Sequence, residues 1–581
     1  MITKIKFVNV ILTISLLFCF YAVKNPAQSK ADKINQILKK YVEYNAFNGA
    51  ALVAENGKVI FKKGYGYANF EWKVKNTPDT KFRLGSITKQ FTSMLIMQLV
   101  QEGKLRLDEK VSKVLPDYPK EQGEKITVHN LLTHTSGIPN YTSFPSYPTD
   151  VMKNTFSPLE LVKLFENKPL EFEPGSKFSY SNSGYILLGY IIEKLTGKPY
   201  EEVLKERIFN PLGMTNSGYD HNLEIILKRA YGYNHFALDI QNANYIDMSV
   251  PFSAGALYST VEDLYKWDQA LYTDKILSKE NIKKLFGKYI PAFGGMYYGY
   301  GWAVTKISDG HGDSVNAVAH GGAVNGFNSL IERYTDDKNL IVLLNNTGAT
   351  DLQDIAKHIE KILYGEKYQM PEEPLAIRFA RKISEDGIDN AIKYFENLSP
   401  EDSQKLNERD INNLGYSLLN TGKTKDAIKI FKLNIDKYNS ANSYDSYAEA
   451  LMKDGQTETA IKNYKISLEM NPGNTNAVEM LKRMGVDYKS EKANVDPEVY
   501  KTLTGEYQLA PNFIITITAE NDKIYEQATG QQKFEIFPKS ETEYYLKVVN
   551  AQISFEKDDS GKVVRMVLHQ NGRDITGEKI K

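Results

Sequence analysis

Apolar residues Ile87, Phe91, Met94, Leu95 and Leu99 follow an i, i+4, i+7, i+8, i+12 rhythm, which predicts a helix with one face turned to a core. Further helices are predicted at Asp32 to Tyr44 and Asp351 to Tyr364, and the runs Gly49 to Glu55 and Lys58 to Gly64 read as the first strands of a sheet between them. Pro371-Glu372-Glu373-Pro374 then reads as a linker. Beyond it Leu414-Gly415, Leu418, Gly422, Ala427 and Phe431 recur as Tyr447-Ala448, Leu451, Gly455, Ala460 and Tyr464, a helical repeat at a 33-residue offset closed by Asn471-Pro472. Asp386-Gly387 to Phe395 reads as a degenerate earlier copy and Asn476 to Met484 as a capping helix. From about Pro497 the texture becomes short alternating runs, Phe513 to Thr518, Lys523 to Thr529, Lys533 to Phe537, Glu543 to Phe555 and Val563 to His569, which predict a small antiparallel barrel or curled sheet. Its aromatic stripe, Tyr507, Phe513, Tyr525, Phe534 and Phe537, is expected to form the core.

At 581 residues and 42% hydrophobic content the chain is an ordinary globular sequence long enough for about four domains. Lys plus Arg equals Asp plus Glu at 72 each, so no basic field favours nucleic acid or an anionic membrane as partner. Lys4 and Lys6 precede an apolar run from Phe7 to Val23, followed by Pro26 and Ala27-Gln28-Ser29, the pattern of a secretory signal peptide over residues 1–29. The run of about 17 residues is also near the lower limit of a membrane span, so an uncleaved anchor is the alternative. Export to a periplasmic or extracellular space is the expectation. Cys19 is the sole cysteine, which leaves a cleaved chain without disulfides. No His-Glu-x-x-His, paired Cys-x-x-Cys or acidic calcium loop occurs, so no metal site and no cofactor is expected.

Candidate chemistry begins at the head of the helix containing Phe91. Ser86 and Lys89 lie three residues apart, hence side by side on a helix, where a neutral lysine amine can take the serine proton. Gly85 permits a tight turn, and the helix N-terminus favours negative charge developing beside the hydroxyl. Ser-x-x-Lys alone is common, and Ser554 with Lys557 fits it inside a strand-like run. Order supplies the specificity: Tyr180-Ser181-Asn182 and His320-Gly321-Gly322 follow downstream, each among small residues.

With Phe82-Arg83-Leu84-Gly85-Ser86-Ile87-Thr88-Lys89, Thr133-His134-Thr135-Ser136-Gly137-Ile138-Pro139 and Gly299-Tyr300-Gly301-Trp302, these motifs resemble the class C β-lactamase and penicillin-binding-protein superfamily, in its branch of related esterases and D-amino-acid peptidases. The resemblance spans about residues 32 to 363. It implies an α/β fold, an antiparallel sheet covered by helices, with a mostly helical insertion between the first two motifs. It further implies Ser86 as nucleophile, Lys89 and Tyr180 exchanging its proton, and an amide of Asn182 turned to the substrate backbone. Gly321 and Gly322 would form a bare strand edge against which substrate lies, and the N–H groups of Ala323 and Ser86 would form an oxyanion hole. His320 stands where penicillin-processing relatives carry lysine, so a substrate carboxylate loses a permanent positive partner. His134 is expected to brace its loop. The helical repeats resemble tetratricopeptide repeats and the C-terminal sheet resembles the lipocalin-like domains of some relatives. The expected organisation is a leader (1–29), a hydrolase domain (30–370), helical repeats (375–490) and a C-terminal β domain (497–581).

Two functions fit. One is an exported serine hydrolase that cleaves an ester, amide or D-amino-acid peptide bond in a small-molecule or peptide substrate through an acyl-enzyme on Ser86. The other is a non-catalytic ligand sensor that retains the fold and holds a protein partner on its helical repeats.

Overall fold

A computed structural model describes residues 28–581, apart from 145, 236–239, 311, 349, 404, 489–494, 511–512, 530–532, 547–550 and 571–572. All but the last two positions of the expected leader, and Cys19 with them, lie outside the described residues. Helix α1 (Lys30–Glu43) starts two residues before its predicted bound, because the Ser29 side chain accepts the N–H of Asp32 and so caps it. It precedes strands β1 (Gly49–Glu55) and β2 (Lys58–Gly64). After the buried helix α2 (Thr88–Gln101) and helix α3 (Asn182–Thr196) come β3 (Ile290–Pro291), β4 (Tyr297–Tyr298), β5 (Ala303–Ser308), β6 (Ser314–Val324), β7 (Phe327–Tyr334) and β8 (Asn339–Asn345). Helix α4 (Leu352–Leu363) ends this part, capped by Asp351, whose carboxylate accepts the N–H groups of Gln353 and Asp354.

The eight strands form one antiparallel sheet ordered β3-β4-β5-β6-β7-β8-β1-β2. The chain's first strands thus pair with its last. Every residue of β8 is buried, as are the first six of β1, because helices cover both faces. On one face α1 and α4 bury Ile34, Ile37, Leu38, Ile355 and Ile359 against Ala51, Val53, Ile341 and Leu343. On the other, Leu52, Val342 and Leu344 meet Phe91, Leu95 and Trp267. Between the first two motifs the described chain carries helices and no named strand, as expected of the insertion.

Helix α2 departs from its predicted amphipathic character. Its residues from Thr88 to Leu99 are all buried, the polar ones included. Several of these polar groups are hydrogen-bonded: Thr92 Oγ1 donates to the Ser253 carbonyl at 2.6 Å, Trp267 Nε1 donates to Gln90 Oε1 at 3.1 Å, and Gln98 Nε2 donates to the Ile276 carbonyl at 2.9 Å, whereas Gln90 Nε2 and Gln98 Oε1 have no partner among the described residues. A helix enclosed on every side stiffens whatever sits at its N-terminus.

Beyond the linker, Glu408–Asn420 and Thr424–Tyr438 form one helical pair and Ala441–Lys453 and Thr457–Met470 the next, with each start displaced by the 33 residues read from the sequence. A side chain at Gly415 would lie 2.4 Å from the Phe431 ring, so the pair packs too closely for any Cβ there. Eight C-terminal strands close into a barrel. Glu543 to Phe555, read as one run, is two strands, Glu543–Leu546 and Ala551–Lys557, paired antiparallel with Glu543 opposite Ser554. The aromatic stripe contributes only Tyr507 to the fully buried interior; Phe513, Tyr525, Phe534 and Phe537 are half-buried, and Ile515, Ile517, Ile524, Ile536 and Tyr544 fill the centre instead.

Candidate active site

Ser86 sits in a single 3-10 turn, Gly85–Ile87, that leads into α2. Gly85 adopts φ +53°, the left-handed region that favours glycine. Contact with β6 is backbone to backbone: a Cβ on Gly85 would fall 2.7 Å from the Ala323 nitrogen, and one on Gly322 would fall 1.9 Å from the Leu84 carbonyl oxygen and 3.0 Å from the Ser86 nitrogen. The glycines therefore let the strand edge lie against the nucleophile turn. This approach brings the turn that carries Ser86 against Gly322 and Ala323 of β6.

Lys89 is fully buried, and loss of solvent drives its amine well below the ordinary lysine value. Lys89 Nζ donates to Asn182 Oδ1 at 2.8 Å, to the Ala254 carbonyl at 2.9 Å and to Ser86 Oγ at 3.1 Å. Tyr180 also hydrogen-bonds Ser86, while burial lifts its phenol above the ordinary tyrosine value and keeps it protonated.

Asn182 is the first residue of α3. Besides accepting from Lys89, it donates Nδ2 to Thr142 Oγ1 at 3.2 Å and its backbone N–H to Asn140 Oδ1 at 3.0 Å. These bonds fix the side chain and leave one N–H of Nδ2 unassigned, while Asn182 lines the cleft beside Ser86.

His320 lies on β6 and is buried, with Nε2 2.9 Å from the Tyr298 hydroxyl and Nδ1 2.6 Å from the Gly321 carbonyl. Tyr298 Oη in turn lies 3.2 Å from His134 Nε2, and His134 Nδ1 accepts the N–H of Ser181 at 3.1 Å. These contacts permit one consistent proton arrangement. Because His134 Nδ1 accepts, its Nε2 carries hydrogen and donates to Tyr298; Tyr298 donates to His320 Nε2, and His320 Nδ1–H donates to the Gly321 carbonyl. Both imidazoles are neutral. Burial, then the nearby Lys89, lowers His320 to about 4, and burial holds His134 well below the ordinary histidine value. His134 does brace its loop, and through Tyr298 it also links the second motif to the third.

The cleft has two lobes meeting at Ser86 and Ala323. One, about 490 Å³, is lined by Tyr180, Phe293, Tyr298, His320, Gly321 and Asp351 among others. The second, about 200 Å³, is lined by Tyr141, Thr142, Asn182, Val324 and Asn325 among others. All eight residues singled out from the sequence come together here. Sequence reasoning missed Tyr298, Thr142 and the Ala254 carbonyl; Tyr298 stands just before the quoted Gly299-Tyr300-Gly301-Trp302 stretch, but nothing in its spacing marked it.

Residues 34–364 match the family model described as Beta-lactamase, more than half of the chain. The chain belongs to that family. As a member it is a serine hydrolase of the β-lactamase-related type. Residues 489–579, which span the barrel, match a model described as Domain of unknown function (DUF3471). Penicillin-binding protein 4* of Bacillus subtilis is 26% identical over 95% of this chain and 100% of its own length. Teichoic acid D-alanine hydrolase of Staphylococcus aureus is 30% identical over 58% of this chain and 78% of its own. The crystal structure of D-amino acid amidase from Ochrobactrum anthropi SV3 complexed with D-phenylalanine covers 58% of this chain and 98% of that one, with 28% identity and a TM-score of 0.51.

Proposed function

We propose that this protein is an exported hydrolase of small or D-aminoacyl esters and amides, working through an acyl-enzyme on Ser86. The observation that carries the reading is Lys89, a buried amine held 3.1 Å from the Ser86 hydroxyl and driven well below the ordinary lysine value by loss of solvent. In the first half-reaction Lys89 takes the Ser86 proton as Oγ attacks the acyl carbon, and the N–H groups of Ser86 and Ala323 receive the developing oxyanion. Tyr180, protonated, supplies a proton to the leaving group. Water then releases the acyl group by the reverse of these proton movements. His320 takes a positioning role, orienting the Gly321 peptide on the strand edge.

Substrate class follows from charge. Among the residues lining the larger lobe no Lys or Arg occurs; His320 is neutral and Asp351 is the only carboxylate. Such a lobe suits an uncharged acyl group or one bearing an ammonium, as in a D-aminoacyl ester or amide, and it suits an anionic β-lactam poorly. The named activities of the teichoic acid D-alanine hydrolase and D-amino acid amidase relatives support that choice. Export rests on the leader pattern in the sequence. Among the described residues no helix is long and apolar enough to cross a membrane.

Labelling with a serine-directed fluorophosphonate tests the reading: the unmodified protein should label at Ser86, and Ser86→Ala should abolish labelling and lower kcat on the order of 10⁶-fold. A non-catalytic sensor would not label. Side-by-side kcat/KM for p-nitrophenyl butyrate, D-alanine p-nitroanilide and nitrocefin tests the substrate class, and preference for nitrocefin would sink it.

A further inference from the structure

A third cavity of about 520 Å³ adjoins the smaller lobe, the two sharing Ile246 and Asn325 in their walls. Two arginines line it. Arg83, three residues before the nucleophile, donates Nε to Asp220 Oδ2 at 2.8 Å, and Arg229 donates Nη1 to Asp220 Oδ1 at 2.5 Å. The Asp220 side chain is fully buried, whereas Arg83 and Arg229 keep 14% and 23% of their side-chain surface exposed. One carboxylate thus anchors two guanidinium groups and leaves one positive charge in surplus. Among the described residues Arg83 makes no hydrogen bond beyond Nε, and Arg229 adds only a 3.3 Å contact to the His221 carbonyl, again through Nη1. The remaining forks of both side chains are therefore available to a ligand. Arg83 is fixed further by stacking, its Cζ lying 5.8 Å from the centre of the Phe327 ring. Asn222, Asn244 and Asn325 also line the cavity. Glu71 and Glu224 also line the cavity, but both are exposed, and Glu71 accepts from Asn242 Nδ2 at 3.0 Å; solvent screens them more than it screens the paired guanidinium groups.

We propose that this cavity is an oxyanion-binding site opening off the catalytic cleft, built for a carboxylate or phosphate that the forks of Arg83 and Arg229 grip together. Two rigid forks sharing one anchor match the geometry of such groups, for which arginine is suited and lysine is not. Its use for the far end of an extended substrate rests on the reading of Ser86 as nucleophile. Ligand binding at the site does not.

The test is calorimetric titration of the full-length protein with inorganic phosphate and, separately, acetate, at constant ionic strength. Saturable one-site binding of at least one anion is expected, and the tighter of the two identifies the ligand class. Arg229→Gln should weaken it by about 10-fold to 150-fold, the loss of one or more charge-assisted hydrogen bonds. Asp220 keeps Arg83 as partner in that variant, so the fold should survive; Arg229→Lys, which keeps the charge and loses the fork, should also bind more weakly and serves as the second variant. Lys228→Gln, altering an exposed neighbour paired with Asp79, should bind as the unmodified protein does. Ser86→Ala should also bind normally, which separates failure of this proposal from failure of the catalytic reading. Absence of saturable binding of either anion, or equal affinities in the unmodified protein, Arg229→Gln and Arg229→Lys, would overturn the site.

Discussion

Gly321 and Gly322 are neighbours on one strand, yet a methyl group added to each meets different surroundings. At Gly321 the nearest atom is the Ser329 carbonyl oxygen at 3.7 Å, an ordinary contact. At Gly322 the methyl would lie 1.9 Å from the Leu84 carbonyl oxygen, 2.5 Å from Ser329 Oγ and 3.0 Å from the Ser86 nitrogen. Ser329 Oγ is held in turn by donating to that same Leu84 carbonyl at 2.6 Å. To restore even a 3.0 Å separation, strand β6 and the nucleophile turn must part by more than about 1 Å. Misplacement on that scale costs about 10²-fold in rate, and it would separate the amides of Ser86 and Ala323 proposed to receive the oxyanion together. Gly322→Ala should accordingly lose about 10²-fold or more in kcat/KM for p-nitrophenyl butyrate and about 1–3 kcal/mol of stability through overpacking. Gly321→Ala should keep its stability and lose no more than about 10-fold in activity, since its methyl enters open cleft. Steady-state kinetics beside urea unfolding of both variants decides the matter. Equal losses, or full activity in Gly322→Ala, would refute the claim that backbone contact between β6 and the turn sets the site.

Lys89→Arg places a permanently protonated group there that cannot take a proton at neutral pH, so it should slow acylation by about 10²-fold to 10⁴-fold, as should Tyr180→Phe; single-turnover labelling rates are the readout. For the unmodified protein the acid limb of kcat/KM should lie well below pH 10.5, because the base must be unprotonated and burial lowers Lys89; a limb near 10.5 would mean a solvated amine. His320 binds its proton at about 4 when folded and near 6.5 when unfolded, so between those values the unfolded chain holds the extra proton and stability falls as pH drops. At about 1.36 kcal/mol per pH unit this amounts to about 3 kcal/mol, and the urea midpoint of His320→Gln should fall less between pH 7 and 4.5 than that of the unmodified protein. The fragment 30–370 should fold alone and label at Ser86, since every site residue precedes the Pro371 to Pro374 linker; an unlabelled or insoluble fragment would show that the later domains complete it.

Residue types and spacing carried much of this site, because Ser86 and Lys89 are neighbours along one turn and Gly85 and Gly322 are required by close approach. The 33-residue offset and the capped helices α1 and α4 were legible for the same reason: they are local. What spacing does not reveal is which partners fold up against a side chain from far along the sequence. Helix α2 showed an apolar stripe, but its polar residues are buried too, with Thr92, Gln90 and Gln98 each bonded once to Ser253, Trp267 and Ile276 from distant segments. Tyr298 joins His134 to His320 only because β4 reaches the edge of the cleft, and no pattern in its own neighbourhood announces it. Lys89 makes the point most sharply. Its amine is held beside Ser86 by two further acceptors, Asn182 Oδ1 and the main-chain carbonyl of Ala254. Any residue at position 254 would supply that oxygen, so a group that fixes the amine of this Ser-x-x-Lys leaves no trace in residue identity and exists only once the chain has folded.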